Sequence, residues 1–312
     1  MGNEMRIYAP SLIVILGLVT NHVLAEPWAA GGGYFQSHDS ERFSSRRLNA
    51  EAISTYQHLD HRTGIRYTDH QFSQDDWQRR GQQLRLVARR TDRKTTDGWN
   101  AELGWLQQSS HDLLTLDSSY RQTFANGSAL EVFANRDVVE TRTALNQGLH
   151  FNFAGASVDV PVNPHVTLVG LAGYQGFSDN NQRRHLRGRL IWQPSLDLGL
   201  TLQLRYRWFD NSQLDVGRAY FNPQRYQEGM LAIGWRQRIG DWRNAMTAGL
   251  GSQQIASESA TPTQLLELSS ETQVERYALR FRAGYTRAAG PAATNDRDYW
   301  YRYLLGELVV PF

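Results

Sequence analysis

The chain has 312 residues, 40% of them hydrophobic, and a mean hydropathy of −0.54, which excludes a bundle of apolar membrane helices. It contains no cysteine, so disulfide scaffolds, cysteine nucleophiles and thiolate metal sites are excluded too. Lys plus Arg number 33 against 31 acids, a formal charge of +2. Nucleic-acid binding needs a marked positive excess for phosphate contacts, so no nucleic-acid partner is expected. Lys94 is the only lysine, and the positive charge is otherwise arginine.

The first residues read as a targeting segment. Arg6 gives a weakly positive start, Ser11 to Val19 is a short apolar run, and Val23-Leu24-Ala25 is a small-residue cleavage site. Cleavage after Ala25 leaves Glu26 as the mature start, and residues 26–312 form one exported domain. With no cysteine at that point, no lipid anchor is expected.

Beyond the leader, period-two alternation, the pattern of strands, dominates the chain. Trp99, Ala101, Leu103 and Trp105 alternate with Asn100, Glu102 and Gly104. Leu186, Leu190 and Trp192 alternate with Arg183, His185, Arg187 and Arg189. Leu198, Leu200, Leu202, Leu204, Tyr206 and Trp208 alternate with Thr201, Gln203, Arg205 and Arg207, and Tyr277 to Tyr285 alternates with Arg276, Arg280 and Arg282. In a strand the two sets face opposite ways, one greasy and one carrying guanidinium groups.

Turn signals divide the chain into candidate strands at 28–38, 44–57, 62–71, 77–91, 98–109, 112–124, 128–138, 148–160, 164–178, 182–193, 198–209, 225–239, 242–256, 263–271, 275–287 and 298–312. Many last about ten residues, enough for a tilted strand to cross a bilayer, whereas sandwich strands run about five or six. The pattern predicts an all-β, antiparallel outer-membrane barrel of about sixteen strands, or fourteen if 263–271 fuses with a neighbour. An even count places both termini in the periplasm, with short turns there such as Asn126-Gly127, Asn163-Pro164 and Pro194 to Asp197. Aromatics at run ends, among them Trp208, Trp235, Trp242 and Trp300, match the girdles at membrane interfaces. Outer-membrane lipid and lipopolysaccharide are then the surroundings. The last strand stops on Phe312, which resembles the C-terminal signal by which the barrel assembly machinery recognises outer-membrane barrels.

Two stretches carry a further resemblance. One is a strand ending in Gly-Phe followed by Ser178-Asp179-Asn180-Asn181; the other is Tyr220-Phe221-Asn222-Pro223 leading into a strand. In order and spacing they resemble the C-terminal barrels of bacterial exopolysaccharide exporters, those for poly-N-acetylglucosamine and cellulose, over roughly Ala144 to Phe312. The resemblance implies a sixteen-stranded barrel and a polysaccharide cargo. Those exporters carry a tetratricopeptide-repeat region before the barrel, whereas strands here begin almost at Glu26. A separate periplasmic repeat scaffold is therefore the implied partner. Without one, a general or solute-specific porin is the alternative, and a closed structural or adhesin-type barrel is a third reading.

By parity, Arg85, Arg89, Arg183, Arg187, Arg189, Arg205, Arg207, Arg236, Arg238, Arg276, Arg280 and Arg282 face the lumen. Inward acids on the same strands are far fewer, with Glu228 the clearest. The balancing acids, such as Asp75, Asp76, Asp179, Asp210, Asp215, Asp296 and Asp298, are expected mostly in loops, leaving a basic channel that prefers anionic or neutral chains. Arg and Glu ladders that merely satisfy buried charge are the competing account. Val139 to Gln147 reads as a loop or short helix entering the lumen.

Catalytic constellations do not emerge. Ser37-His38-Asp39 and Ser110-His111-Asp112 hold triad residue types, but neighbours in extended chain point to opposite faces, and both read as loops. His58, His61 and His70 with Asp60 and Asp69 suit a divalent metal chemically, yet match no tight ligand spacing and read as solvated turn residues. Asp75-Asp76, and Asp296 with Asp298, read as charged loop tips. No enzyme activity, metal or cofactor is expected.

Overall fold

The structure, a computed structural model, describes residues 28–108, 111–195, 197–274, 276–288 and 298–312. The predicted leader, the Val23-Leu24-Ala25 cleavage site, Ser110 and Asp296 lie outside them. In chain order the strands are β1 (Ala29–Asp39), β2 (Phe43–His58), β3 (His61–Gln74), β4 (Trp77–Thr91), β5 (Gly98–Gln108), β6 (Asp112–Thr123), β7 (Ala129–Val138), β8 (His150–Asn163), β9 (Val166–Phe177), β10 (Gln182–Ser195), β11 (Leu200–Asn211), β12 (Arg225–Ile239), β13 (Trp242–Ile255), β14 (Thr261–Val274), β15 (Tyr277–Ala288) and β16 (Tyr299–Pro311). A short helix, α1 (Arg142–Gln147), lies between β7 and β8.

Each strand pairs antiparallel with the next, and β1 pairs with β16 from Ala29↔Pro311 to Asp39↔Tyr301, closing the barrel. Closure removes both sheet edges, so every strand's backbone groups find partners away from water. Both termini lie at one end, the terminal end; the opposite mouth is the far end. The segment 263–271 is a full strand, β14, paired with β13 and β15, so the fourteen-strand alternative fails. Strands run from 10 residues in β7 to 16 in β2, long enough to cross a hydrocarbon layer at a tilt.

The alternation sorts the side chains. Leu84, Leu86, Leu186, Leu190, Leu204, Ile233 and Leu304 are all exposed on the outer face, and Leu231 and Leu250 are 62% and 69% exposed. A continuous apolar belt of this kind is tolerated only against lipid or a partner. Trp208 and Trp300 stand near the far end of this face, Trp235 and Trp242 near the terminal end.

Three placements differ from the sequence reading. Arg276 lies in the turn between β14 and β15, exposed at the terminal rim, because β15 begins one residue later. Ser37-His38-Asp39 ends β1 instead of forming a loop, since β1 pairs with β16 as far as Asp39. Asp210 belongs to β11, where its even parity faces outward and Arg184 pairs with it.

Candidate functional site

The lumen wall built by β2 to β5 and β14 to β16 is a connected Arg–Glu network. Arg62 is fully buried and forks onto Glu51, with Nε to Oε1 at 2.9 Å and Nη2 to Oε2 at 3.2 Å. Its Nη2 also reaches Glu307 across the closure seam at 2.5 Å. Glu51 Oε2 accepts from Arg66 at 2.8 Å, and Arg66 Nη1 donates to Glu102 at 3.0 Å. Glu102 in turn holds Arg85 and Arg89. On the seam side Arg280 meets Asp60 at 2.7 Å, Glu271 at 2.8 Å and Glu307 at 3.6 Å. Charge-assisted pairs in a partly desolvated wall satisfy one another. Gly31 makes the crossing possible: a Cβ there would meet Glu51 Cβ at 3.3 Å and Val309 at 3.5 Å, so any larger side chain would fill the gap spanned by the network.

This wall corrects the expected charge layout. Glu51, Glu102, Glu271 and Glu307 face inward and neutralise Arg85, Arg89 and Arg280, so the balancing acids are not mostly in loops. The first quarter of the chain is polar at both parities, which hid Glu51, whereas Glu102 and Glu307 already stood at an inward parity in clear alternations.

The wall of β10 to β13 is different. Arg187 and Arg189 are exposed to the lumen, opposite Arg207 and Arg205. Arg207 meets Glu228 at 3.0 Å, and Arg205 meets Glu267 of β14 at 3.5 Å. Further toward the terminal end, Arg236 and Arg282 line a cavity of about 280 Å³ with Asp60, Arg93, Arg243 and Glu271. Arg93 enters it from the β4–β5 connection and reaches Glu271 at 3.4 Å. Arg238 stands one rung below, opposite Arg243. In the β2–β3 turn, burial alone would raise the Asp60 carboxyl, but the Arg280 guanidinium, helped by Arg89 and His58, outweighs it and holds that carboxyl below its ordinary range.

At the far mouth, the segment between β7 and β8 folds inward as α1. Thr141 caps it, its hydroxyl accepting from Ala144 N–H at 3.2 Å, and Gly148 ends it in the left-handed conformation at φ 68°. Leu145 packs on the inward rings of Phe43 and Phe72, Arg79 donates to the Leu145 carbonyl, and Arg47 pairs with Glu140. On its other side Ala144 packs with Phe177 and Ala219, and the Thr141 hydroxyl donates to the Ala219 carbonyl. The segment thus crosses the mouth as a chord, from the β2–β4 wall to the β11–β12 loop.

The two motif stretches meet here. Asn181 is fully buried and donates to Asn222 Oδ1 at 2.8 Å, to the Tyr220 hydroxyl at 3.1 Å and to Asn211 Oδ1 at 3.4 Å. Its Oδ1 accepts from Gln213 N–H at 3.1 Å. Asp179 Oδ2 accepts from the Tyr220 hydroxyl at 2.8 Å. Asn180 takes the left-handed turn at φ 70°, and the Ser178 hydroxyl accepts from His150 N–H at 3.1 Å. The Pro223 carbonyl accepts from Asn211 at 2.5 Å. Burial, and the hydrogen bond it donates to Asp179, push the Tyr220 phenol up despite Asn181. Arg183, expected to line the pore, is held by this assembly: it donates to Asn211 at 2.7 Å and to the Phe221 carbonyl at 2.6 Å, and its guanidinium lies 4.6 Å from the Phe209 ring centroid.

Other marked residues do not assemble. His70 is buried in the wall and bonded to Gln83 at 3.0 Å, which corrects its reading as a solvated turn residue; alternation along β3 turns Asp69 the other way. His58 and His61 face each other across the β2–β3 turn. Ser37 is buried while His38 packs on Trp300, so those neighbours diverge. Asp75 pairs with Arg42 at 2.8 Å. No metal-competent group of three or more His, Asp or Glu occurs among the described residues. Phe312 follows β16, and its N–H donates to the Trp28 carbonyl at 2.8 Å.

These features define an outer-membrane β-barrel pore. No family model and no curated protein matches the chain. Among solved structures it is similar to a bacterial polysaccharide outer membrane secretin, with TM-score 0.69 and 13% identity over 93% of this chain and 100% of that one. It also aligns with the outer membrane protein OprD from Pseudomonas aeruginosa, at TM-score 0.45 and 9% identity over 92% of this chain and 94% of that one. OccAB3 from Acinetobacter baumannii gives 0.44 and 11% over 91% and 98%.

Proposed function

We propose that this barrel passes an exopolysaccharide, or fragments of one, from the periplasm to the cell surface through its arginine-lined lumen. The observation that carries the reading is the likeness to a polysaccharide secretin barrel along that protein's whole length. The lumen suits such cargo chemically: guanidinium forks bind hydroxyls and carboxylates and release water more readily than ammonium groups. Arg187, Arg189, Arg205, Arg207, Arg236, Arg238 and Arg282 are the side chains assigned to contact the chain. A separate periplasmic repeat scaffold delivers the polymer to the terminal end, and the barrel assembly machinery inserts the barrel through its Phe312 end.

Deletion of the gene tests this directly. Polymer is expected to disappear from the cell surface and accumulate in the periplasm. Unchanged surface polymer overturns the reading. A second reading, a solute-specific porin, is favoured by one feature: α1 and the β11–β12 loop lie across the mouth, which suits small solutes.

A further inference from the structure

We infer that the β10–β11 wall is a binding track for the carboxylates of an acidic polysaccharide, an assignment that rests on the polysaccharide reading above. Arg187 lies directly opposite Arg207, and Arg189 directly opposite Arg205. Opposed side chains in an antiparallel pair stand about 5 Å apart at Cβ, and like charges so placed repel. The barrel itself shows what settles such a rung. Arg66 is opposite Arg85 on β3 and β4, and Glu102 sits between them, accepting from both at 3.0 and 3.3 Å through one oxygen.

The β10–β11 rungs lack that wedge. Arg187 and Arg189 make no ion pair or side-chain hydrogen bond among the described residues, and both are open to the lumen. Glu228 pairs with Arg207 and Glu267 with Arg205, while Glu267 and Asp159 act on Arg189 through space without pairing with it, and the buried Arg207 Nε–H has no acceptor. A carboxylate entering from the lumen would take the place that Glu102 takes on the other wall, accepting from two planar forks at once. The rungs repeat every two residues, about 6.7 Å along a strand. A further opposed pair, Arg238 and Arg243, stands apart on β12 and β13, eight residues nearer the terminal end than Met230, the β12 partner of Arg205. A chain bearing carboxylates at about the rung spacing can therefore engage both β10–β11 rungs at once. The low-dielectric wall strengthens the field along that path.

Calorimetric titration of the detergent-solubilised barrel with oligogalacturonate, and with a neutral cello-oligosaccharide of equal length, tests the track. The uronate is expected to bind at least about tenfold more tightly. Arg187→Gln with Arg189→Gln should remove that advantage, bringing uronate binding down to that of the neutral sugar. These side chains hold no other residue, so the variant folds, as heat-modifiable gel mobility will report. Arg187→Lys with Arg189→Lys keeps the charge without the fork and should restore only part of the advantage. Equal binding of the two sugars overturns the track and leaves polysaccharide passage standing. A uronate advantage that survives the Gln variant overturns the assignment to this wall. Absence of binding by either sugar overturns both the track and the reading on which it rests.

Discussion

Arg62 and Glu51 form a two-bonded fork in which the Arg62 side chain has no solvent exposure, with contacts of 2.9 and 3.2 Å. A guanidinium so enclosed is tolerable only while its carboxylates are charged and in place. Glu51→Gln is therefore expected to lower the stability of the folded barrel by about 3–5 kcal/mol, the cost of leaving a buried charge poorly paired. The midpoint of guanidinium unfolding in detergent, followed by tryptophan fluorescence, measures it. A change below about 1 kcal/mol, the scale of an exposed pair, contradicts the buried network.

The mouth assembly depends on Asn181, which ties the β9–β10 turn to the β11–β12 loop through Asn222, Tyr220 and Gln213. Asn181→Ala leaves the Asn222 amide oxygen and the Gln213 N–H, both half-buried, without the partner they share, at a cost of up to about 1–3 kcal/mol each. The β11–β12 loop is expected to loosen. Trypsin should cut after Arg218 faster than in the wild type, and single-channel conductance should rise. Unchanged cleavage and conductance would show that the loop is held by something else.

Thr141 acts on both sides of the same mouth, capping α1 and donating to Ala219. Thr141→Ala removes both contacts and should cost about 1 kcal/mol at the cap alone. Thr141→Ser keeps the hydroxyl and is expected to cleave at Arg218 as slowly as the wild type. Faster cleavage of the Ser variant would point to the lost methyl group as the cause.

Asp60 gives the terminal end an acid sensitivity. Its carboxyl is held below the ordinary 3.8 in the folded barrel, because Arg280, with Arg89 and His58, outweighs burial. A depressed carboxyl stabilises the folded state fully above that ordinary value and loses its contribution as pH falls through the folded one. Thermal midpoints of the wild type should therefore drop more steeply below pH 3.8 than those of Asp60→Asn. Parallel curves for the two proteins would count against the pairing.

Relief of repulsion gives a prediction of opposite sign. Arg187→Gln with Arg189→Gln removes two like-charged rungs and should stabilise the ligand-free barrel by about 0.2–1 kcal/mol per rung at low salt. The gain should shrink as salt is added. Destabilisation would mean these arginines have partners in the folded wall.

The strands, their order and their facing were legible in the sequence because alternation is local: Leu202, Leu204 and Tyr206 declare an outward face without reference to any other strand. The motif stretches at 178–181 and 220–223 were legible as a turn and a loop for the same reason. Their bonding to each other was not, since Asn181 meets Asn222 across 41 residues only once β9 to β12 are aligned. The charge balance of the lumen was also beyond the sequence. Arg62 and Glu307 are 245 residues apart, and closure of β1 on β16 brings them together. Parity says which residues face the lumen, but only the register of neighbouring strands decides which charges meet. That register leaves Arg66 and Arg85 with Glu102 between them, and Arg187 and Arg207 with no acid in that position.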